Sequence, residues 1–314
     1  MEALAVVFDN PEQLSLRQLP IASATDSDVV VNVDWTSISV GTERLLWTGR
    51  MPPFPGLGYP LVPGYEAVGR VSFAGTASGH REGDRVFVPG ANCYGDVRGL
   101  FGGAASRVVV PGARALNVDD SLGERAVLLA LAATAYHALK GPRATEMPDL
   151  VIGHGTFGRL TARLVSILGN APCTVWEKDP IRAAGALGYT VTTAEQDPRR
   201  DYKCIFDASG DASLIEPMIM RLAKGGEIVL AGFYSDPIAF RFPMAFMKEA
   251  RLRIAAEWDP ADLAAVTKLV VERKLSFDGL ITHEQPASNA KDAYEIAFND
   301  PSCVKMILDW RESA

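Results

Sequence analysis

Hydrophobic and polar positions change their period near residue 120. Before it, apolar residues come in short runs or alternate. Residues 3–8 form one run, and Val29, Val31, Val33 and Trp35 stand against Val30, Asn32 and Asp34 in the period-two pattern of a strand. Tyr65–Val71 and Gly83–Val88 read as further strands, with Gly79 and Gly83 bounding the turn between them. Many short strands with frequent turns predict an irregular β-barrel. Thr36–Gly49 leads into a loop, and Trp47–Gly64 holds five prolines, four glycines, Trp47, Phe54 and Tyr59. Ser121-Leu122-Gly123-Glu124 has the spacing of a capping box that opens a helix. Ala126–Leu139, fourteen residues without a charge, reads as that buried helix and is too short to span a bilayer.

Beyond it, strand and helix patterns alternate. Leu150, Val151 and Ile152 end abruptly in Gly153-His154-Gly155-Thr156-Phe157-Gly158, a G-x-G-x-x-G. The first glycine permits a tight turn, the second lets a pyrophosphate approach the backbone, and the third lets the next helix pack closely. Phe157, Leu160, Thr161, Leu164, Val165 and Leu168 fall on one face of that helix. Its free N–H groups suit phosphate oxygens. A second strand, Cys173–Trp176, ends in Glu177, 24 positions past Gly153. A carboxylate there accepts from the adenosine ribose hydroxyls and repels a 2′-phosphate, which predicts NAD. The hexapeptide alone also fits an ordinary glycine-rich turn; the strand before, the helix after and the acidic end of the second strand supply the context. Cys204–Gly210 and Gly226–Phe233 read as two more strands that bring Ser209 and Gly232 to the cofactor edge of the sheet. Arg251–Ala256 reads as a strand, Asp259–Lys274 as an amphipathic helix, Ala287–Phe298 as a helix and Val304–Trp310 as a closing strand.

Composition narrows the classes. The 314 residues leave room for two domains, and 48% hydrophobic with 22% charged residues describes a soluble globular protein. A net charge of −7 without a basic cluster argues against a nucleic-acid partner. Cys93, Cys173, Cys204 and Cys303 are widely spaced, so neither a disulfide framework nor a zinc ribbon is indicated and a reducing cytoplasm fits. The apolar run at the amino terminus is too short for a signal peptide.

VGTE (Val40–Glu43), PGYEAVGRV (Pro63–Val71), GDRV (Gly83–Val86) and TAYHALKG (Thr134–Gly141), followed by the nucleotide fingerprint, resemble the medium-chain dehydrogenase/reductase superfamily over essentially the whole chain. TSISVGTERLLWTGRMPPFPGLGYPLVPGYEAVGRV and LVIGHGTFGRLTARL resemble most closely the branch that oxidises the hydroxyethyl group of a bacteriochlorophyllide. The resemblance implies an α/β protein with a GroES-like β-barrel catalytic domain over 1–121, a Rossmann doubly wound parallel sheet over 122–281, and a segment, 282–314, that returns to the catalytic domain. It implies an NAD-dependent alcohol dehydrogenase that converts a 3-(1-hydroxyethyl) group to 3-acetyl on a tetrapyrrole during bacteriochlorophyll biosynthesis. A homodimer formed through the edge of the Rossmann sheet, and a cytoplasmic location with loose association to the photosynthetic membrane, are further expectations. Two other readings stand beside it. One is a zinc-free enoyl or quinone reductase, which Glu177 opposes because such enzymes mostly use NADPH. The other is a non-catalytic NAD(H)-binding sensor.

The departures from the zinc-dependent pattern predict that no metal is used. Val40 stands where those members have cysteine, Tyr65 replaces the histidine of their G-H-E, and Val127–Ala135 offers only Thr134 as a polar side chain. Hydroxyl and carboxyl groups must then assist the chemistry. Thr42 takes the position of the family's relay hydroxyl, or is a turn threonine. Tyr65 is a donor to the substrate oxygen, or a packing tyrosine. Glu66 is an ionisable partner, and Glu43 is expected to form a structural ion pair with arginine. Trp47, Met51, Phe54, Leu57 and Tyr59 would wall a flat macrocycle and Arg50 would meet a propionate; the other reading packs this loop on its own domain. His154 is expected to face cofactor or solvent, His137 to be a satisfied core histidine and His80 to be exposed; His283 starts the returning segment and could reach the cleft, but nothing in the sequence singles it out for that.

Overall fold

The computed structural model describes residues 1–312 other than Phe54, Pro142 and Arg143. The first elements are β1 (Glu2–Asn10), β2 (Gln13–Pro20), β3 (Asp28–Ser37), α1 (Val40–Trp47), β4 (Leu61–Val62), β5 (Ala67–Ala74), β6 (Arg85–Val88), β7 (Arg98–Gly99), β8 (Arg107–Pro111) and β9 (Leu116–Asn117). Next come α2 (Leu129–Lys140), β10 (Leu150–Ile152), α3 (Thr156–Leu168), β11 (Thr174–Trp176), α4 (Pro180–Ala183), β12 (Thr190–Thr192), β13 (Tyr202–Asp207), α5 (Ile215–Arg221), β14 (Leu222–Leu230), α6 (Phe242–Lys248) and β15 (Arg251–Ile254). The last are α7 (Pro260–Val271), β16 (His283–Pro286), α8 (Ala290–Asn299) and β17 (Met306–Asp309). They form two compact units: Met1–Ala130 with the segment from Ile281 onward, and Leu131–Leu280.

In the first unit a seven-stranded sheet runs β16-β17-β3-β5-β6-β9 with β8 also on β3, and a four-stranded sheet runs β2-β1-β4-β7. β3 is the axis. One of its edges pairs with β5, while the other is shared between β8 along residues 28–32 and β17 along residues 35–37. Val29, Val30 and Val31 are all buried, so this strand is covered on both faces and its apolar run reflects that rather than simple alternation. Phe8 anchors the core, edge-on to Trp47 at 5.4 Å and to Tyr294 at 5.3 Å.

The stretch after β3 that leads to the proline-rich loop is helical over Val40–Trp47, with Leu46 and Glu43 turned inward. One local expectation fails here: the capping box at Ser121 does not form. Asp119 is the cap, accepting from the Ser121 N–H at 2.8 Å, and Gly123 at φ 53, ψ −134 breaks the helix that Ser121 would have opened. The regular helix starts only at Leu129.

The second unit is a six-stranded sheet, β12-β11-β10-β13-β14-β15, with every pair parallel. β10, the first in sequence, sits centrally and the order reverses beside it, the doubly wound arrangement whose nucleotide crevice lies at the ends of the central strands. Leu150, Val151 and Ile152 are buried, as a parallel strand covered on both faces requires. α3 buries Leu160 and Leu164, but also Arg159 and Arg163, whose guanidiniums are wrapped by backbone carbonyls.

Candidate active site

The phosphate loop joins β10 to α3. Gly153 has φ +95, a conformation that side-chain-bearing residues rarely adopt. A Cβ on Gly158 would lie 1.9 Å from the Gly153 carbonyl oxygen, so only glycine lets α3 begin so close beneath the loop. Gly155 differs: a Cβ there would meet nothing within 4 Å, and its φ of −73 suits any residue. The chain itself does not require glycine at 155. Gly155 caps α3 without a side chain, leaving the first N–H groups of the helix for an anion. This open, donor-lined cradle fits a dinucleotide pyrophosphate. Thr156 is buried in the first turn, and Phe157 packs against Phe206 with ring centroids 5.7 Å apart.

Glu177 stands at the end of β11, where Oε2 accepts from the His154 N–H at 3.1 Å and Oε1 from the Asp179 N–H at 2.9 Å. Two backbone donors fix the carboxylate beside the phosphate loop. His154, expected to face cofactor or solvent, is instead fully buried. Nδ1 donates to the Arg182 carbonyl at 2.6 Å, and Nε2 lies 2.8 Å from the Tyr189 hydroxyl. Burial first, and then the neighbouring Arg159 charge, push its pKa down to about 4, against the carbonyl hydrogen bond. It is a neutral strut between the loop and residues 182–189.

Ser209 turns its hydroxyl to the buried Asp207 carboxylate at 2.6 Å, and its N–H goes to the same oxygen at 3.0 Å. Tyr234 donates to the other oxygen of Asp207. Gly232 lies where a Cβ would come within 2.4 Å of the Gly210 nitrogen. Ser209 therefore braces its own turn and Gly232 lets two loops of the sheet edge approach, roles the sequence did not suggest.

In the barrel unit the candidate catalytic residues gather around the start of α1. The Tyr65 hydroxyl is 2.5 Å from Ser39 Oγ and also hydrogen-bonds the Thr42 side chain. Burial above all, then the nearby Glu66 charge, hold the phenol pKa well above its ordinary value, so it stays protonated. Glu66 is buried. It accepts from the Ser37 hydroxyl and pairs with the equally buried Lys305 at 2.7 Å; Lys305 also donates to the Ile38 carbonyl at 3.3 Å. Among the described residues Glu43 has no arginine partner, contrary to expectation. Oε1 accepts from the Ser39 N–H at 2.8 Å and Oε2 from the Tyr294 hydroxyl at 2.5 Å. Burial raises its pKa to about 7 although both hydrogen bonds pull it down. The sequence reading missed Ser39, Lys305 and Tyr294; the last two lie some 240 residues or more from their partners, beyond the reach of any local pattern.

The proline-rich segment packs on its own unit. Trp47 belongs to α1 and lies on Phe8, Met51 is buried in the core, and Leu57 and Tyr59 pack on the same cluster. The Tyr59 hydroxyl donates to the Leu46 carbonyl. Arg50 is exposed, and Phe54 lies outside the described residues. Of the histidines, His80 is not exposed but largely buried, with Nε2 at 2.9 Å from the Gly112 carbonyl. His137 pairs with Asp262 at 2.7 Å, and His283 meets the Thr282 hydroxyl at 2.9 Å.

A catalytic zinc ion does not fit the residues at the head of the barrel unit. Val40 has no donor atom, the Tyr65 phenol is held by Ser39 and stays protonated, and Glu66, the remaining carboxylate of the motif, is paired with Lys305. The ligand atoms of His137, Asp259 and Asp262 lie within 4.8 Å of one another in the nucleotide-binding unit, where the two aspartates form the capping box of α7.

A GroES-like barrel with a doubly wound NAD-type unit defines a class. Residues 25–120 match the alcohol dehydrogenase GroES-like domain family. The chain belongs to the medium-chain dehydrogenase/reductase superfamily. It is 53% identical over 314 residues, 100% of both chains, to the 2-desacetyl-2-hydroxyethyl bacteriochlorophyllide A dehydrogenase of Rhodobacter capsulatus. It is 54% identical, again over 100% of both, to the protein of the same name from Cereibacter sphaeroides. Among solved structures, 2R,3R-butanediol dehydrogenase from Bacillus subtilis shares the fold with a TM-score of 0.83 at 19% identity, covering 98% of this chain and 99% of that one.

Proposed function

We propose that this protein is an NAD-dependent dehydrogenase that oxidises the 3-(1-hydroxyethyl) group of a bacteriochlorophyllide to 3-acetyl without a metal ion. The observation that carries the reading is identity above one half, over full length, with two relatives that bear that activity in their names. The pinned Glu177 and the open space at Gly155 support NAD as the cofactor.

Such an oxidation removes a hydride from carbon and a proton from oxygen. NAD, when bound, accepts the hydride. A carbon attached to a conjugated macrocycle spreads the developing positive charge, which lessens the need for a Lewis acid. The proton of the alcohol then passes through the Thr42 hydroxyl to solvent water, while Tyr65 donates a hydrogen bond to the same oxygen. Glu66, paired with Lys305, serves as a fixed charge behind Tyr65 rather than as a base. Incubating the purified protein with NAD and a 3-hydroxyethyl bacteriochlorophyllide tests the reading, because conjugating an acetyl group to the ring shifts the long-wavelength band of the pigment. No shift from a protein that binds NAD overturns it.

The reading includes a homodimer. β15 is the edge of the parallel sheet, and around it Phe242, Phe246, Met247 and Ile254 are each at least two-thirds exposed. A monomer rarely leaves such an apolar face beside an open strand edge uncovered. Pairing β15 with its symmetry mate covers both. No helix among the described residues is long and apolar enough to cross a membrane. The proposed location is the cytoplasm, loosely associated with the photosynthetic membrane.

A further inference from the structure

Ser39 breaks a local rule. It holds the N-cap position of α1, where a serine side chain ordinarily accepts from an N–H of the first turn, yet it makes no such bond. Its hydroxyl is instead 2.5 Å from the Tyr65 hydroxyl, and its own N–H is taken by Glu43. A helix that forgoes its cap for a contact with a side chain 26 residues away shows a conflict between local and wider demands, and such conflicts gather at functional sites.

We propose that Tyr65 makes the hydrogen bond to the reacting oxygen of the alcohol, and that Ser39 is the positioning residue that aims the phenol for it. This rests on the dehydrogenase reading. The geometry explains why a serine is useful here. A phenol has one rotatable O–H, and a serine can donate as well as accept. With Ser39 donating to the phenol oxygen, the single proton of Tyr65 is left to point away from Ser39. The ring is held separately, edge-on to Phe101 with centroids 5.3 Å apart, so the serine sets only the direction of the O–H. Tyr65 is half-buried whereas Ser39 is buried, so of the two residues Tyr65 is the one with surface left for a ligand. Ser39 thereby acts on the reaction through Tyr65 alone.

Steady-state kinetics with NAD and the hydroxyethyl pigment test this. Ser39→Ala should lower kcat about tenfold, the order of one hydrogen bond, with KM for both substrates unchanged and the melting temperature lowered by only a few degrees, because one hydrogen bond but no cap is lost. Ser39→Thr, which keeps the hydroxyl, should recover most of the rate. Tyr65→Phe should lower kcat about a hundredfold. In the Tyr65→Phe background, adding Ser39→Ala should then have no further effect, since its target is gone. A merely structural serine would instead slow both backgrounds equally. Full turnover by Ser39→Ala, or an unchanged tenfold loss in the Tyr65→Phe background, overturns the proposal while leaving the dehydrogenase reading intact. Absence of turnover by the unmodified protein overturns the reading and this proposal with it.

Discussion

Gly155→Val separates what the fold needs from what the cofactor needs. The new Cβ meets no protein atom within 4 Å, and φ −73 with ψ −173 is extended backbone open to any residue. The remaining cost is that valine is a poorer N-cap than glycine, at most about 1 kcal/mol. In a unit of this size that lowers the melting temperature by roughly 2–4 °C. The same isopropyl group occupies the space through which a pyrophosphate reaches the N–H groups at the start of α3. Losing two charge-assisted hydrogen bonds of about 1.5–3 kcal/mol each weakens NAD binding by roughly a hundredfold to ten-thousandfold. Isothermal calorimetry with NAD and a thermal melt of the same preparation give both numbers. Gly158→Ala is the counterpart. Its Cβ would fall 1.9 Å from the Gly153 carbonyl oxygen, so here the melt itself should collapse. NAD affinity of wild-type strength in Gly155→Val refutes the reasoning, and so does a Gly158→Ala protein that melts normally.

Other expectations follow from the same geometry. Glu177→Gln removes the charge that opposes a 2′-phosphate, so the preference for NAD over NADP in fluorescence titrations should fall about tenfold or more; an unchanged ratio would show that Glu177 does not set it. Thr42→Val should lower kcat by roughly 10²–10⁴ with NAD affinity intact, and Thr42→Ser should keep much of the rate. A deuterated hydroxyethyl carbon checks that the hydride step is being observed. Glu43 should make stability depend on pH. Its folded pKa of about 7 lies above the ordinary 4.5, so its contribution is complete below about 4.5 and is lost as pH rises through 7. At about 1.4 kcal/mol per unit, that is roughly 3 kcal/mol across the window. Denaturant melts of wild type and Glu43→Gln should therefore converge or cross in favour of the amide between pH 5 and pH 8, and a difference that stays flat with pH speaks against it. Ile254→Lys should convert a dimer of 33.8 kDa chains to monomer in light scattering.

The nucleotide-binding unit was legible because its information is local. One hexapeptide, one apolar helix face and one acidic residue at a strand end lie within about thirty residues, and the spacing constrains them all. Even there the sequence misjudged His154, since nothing adjacent announces that Arg182 and Tyr189 will take up both its ring nitrogens. The barrel site was half legible. Thr42, Glu43, Tyr65 and Glu66 stand in recognisable motifs, but the partners of the two carboxylates, Tyr294 for Glu43 and Lys305 for Glu66, come from the opposite end of the chain. The helix after β3 was hidden because Val40, Gly41 and Thr42 are weak helix formers and its serine cap is used elsewhere. That Trp47 and Tyr59 pack on the core of their own unit was not legible, because composition cannot tell a surface that receives a ligand from one that receives the protein's own core.

The completion of the barrel by β17 and α8 sets an order on biosynthesis. On the ribosome, β3 emerges with only β8 available to cover that edge, and its last residues, 35–37, wait for β17 until nearly the whole chain has been translated. During that interval Glu66 has no lysine and Glu43 no tyrosine, and a carboxylate enclosed without its counter-charge costs several kcal/mol. The nascent barrel therefore stays open along that edge of β3 while the parallel sheet is already made. A message cut short ahead of Tyr294 would yield a chain that carries every strand of the parallel sheet but lacks the partners of Glu43 and Glu66 and the strand that pairs with residues 35–37 of β3.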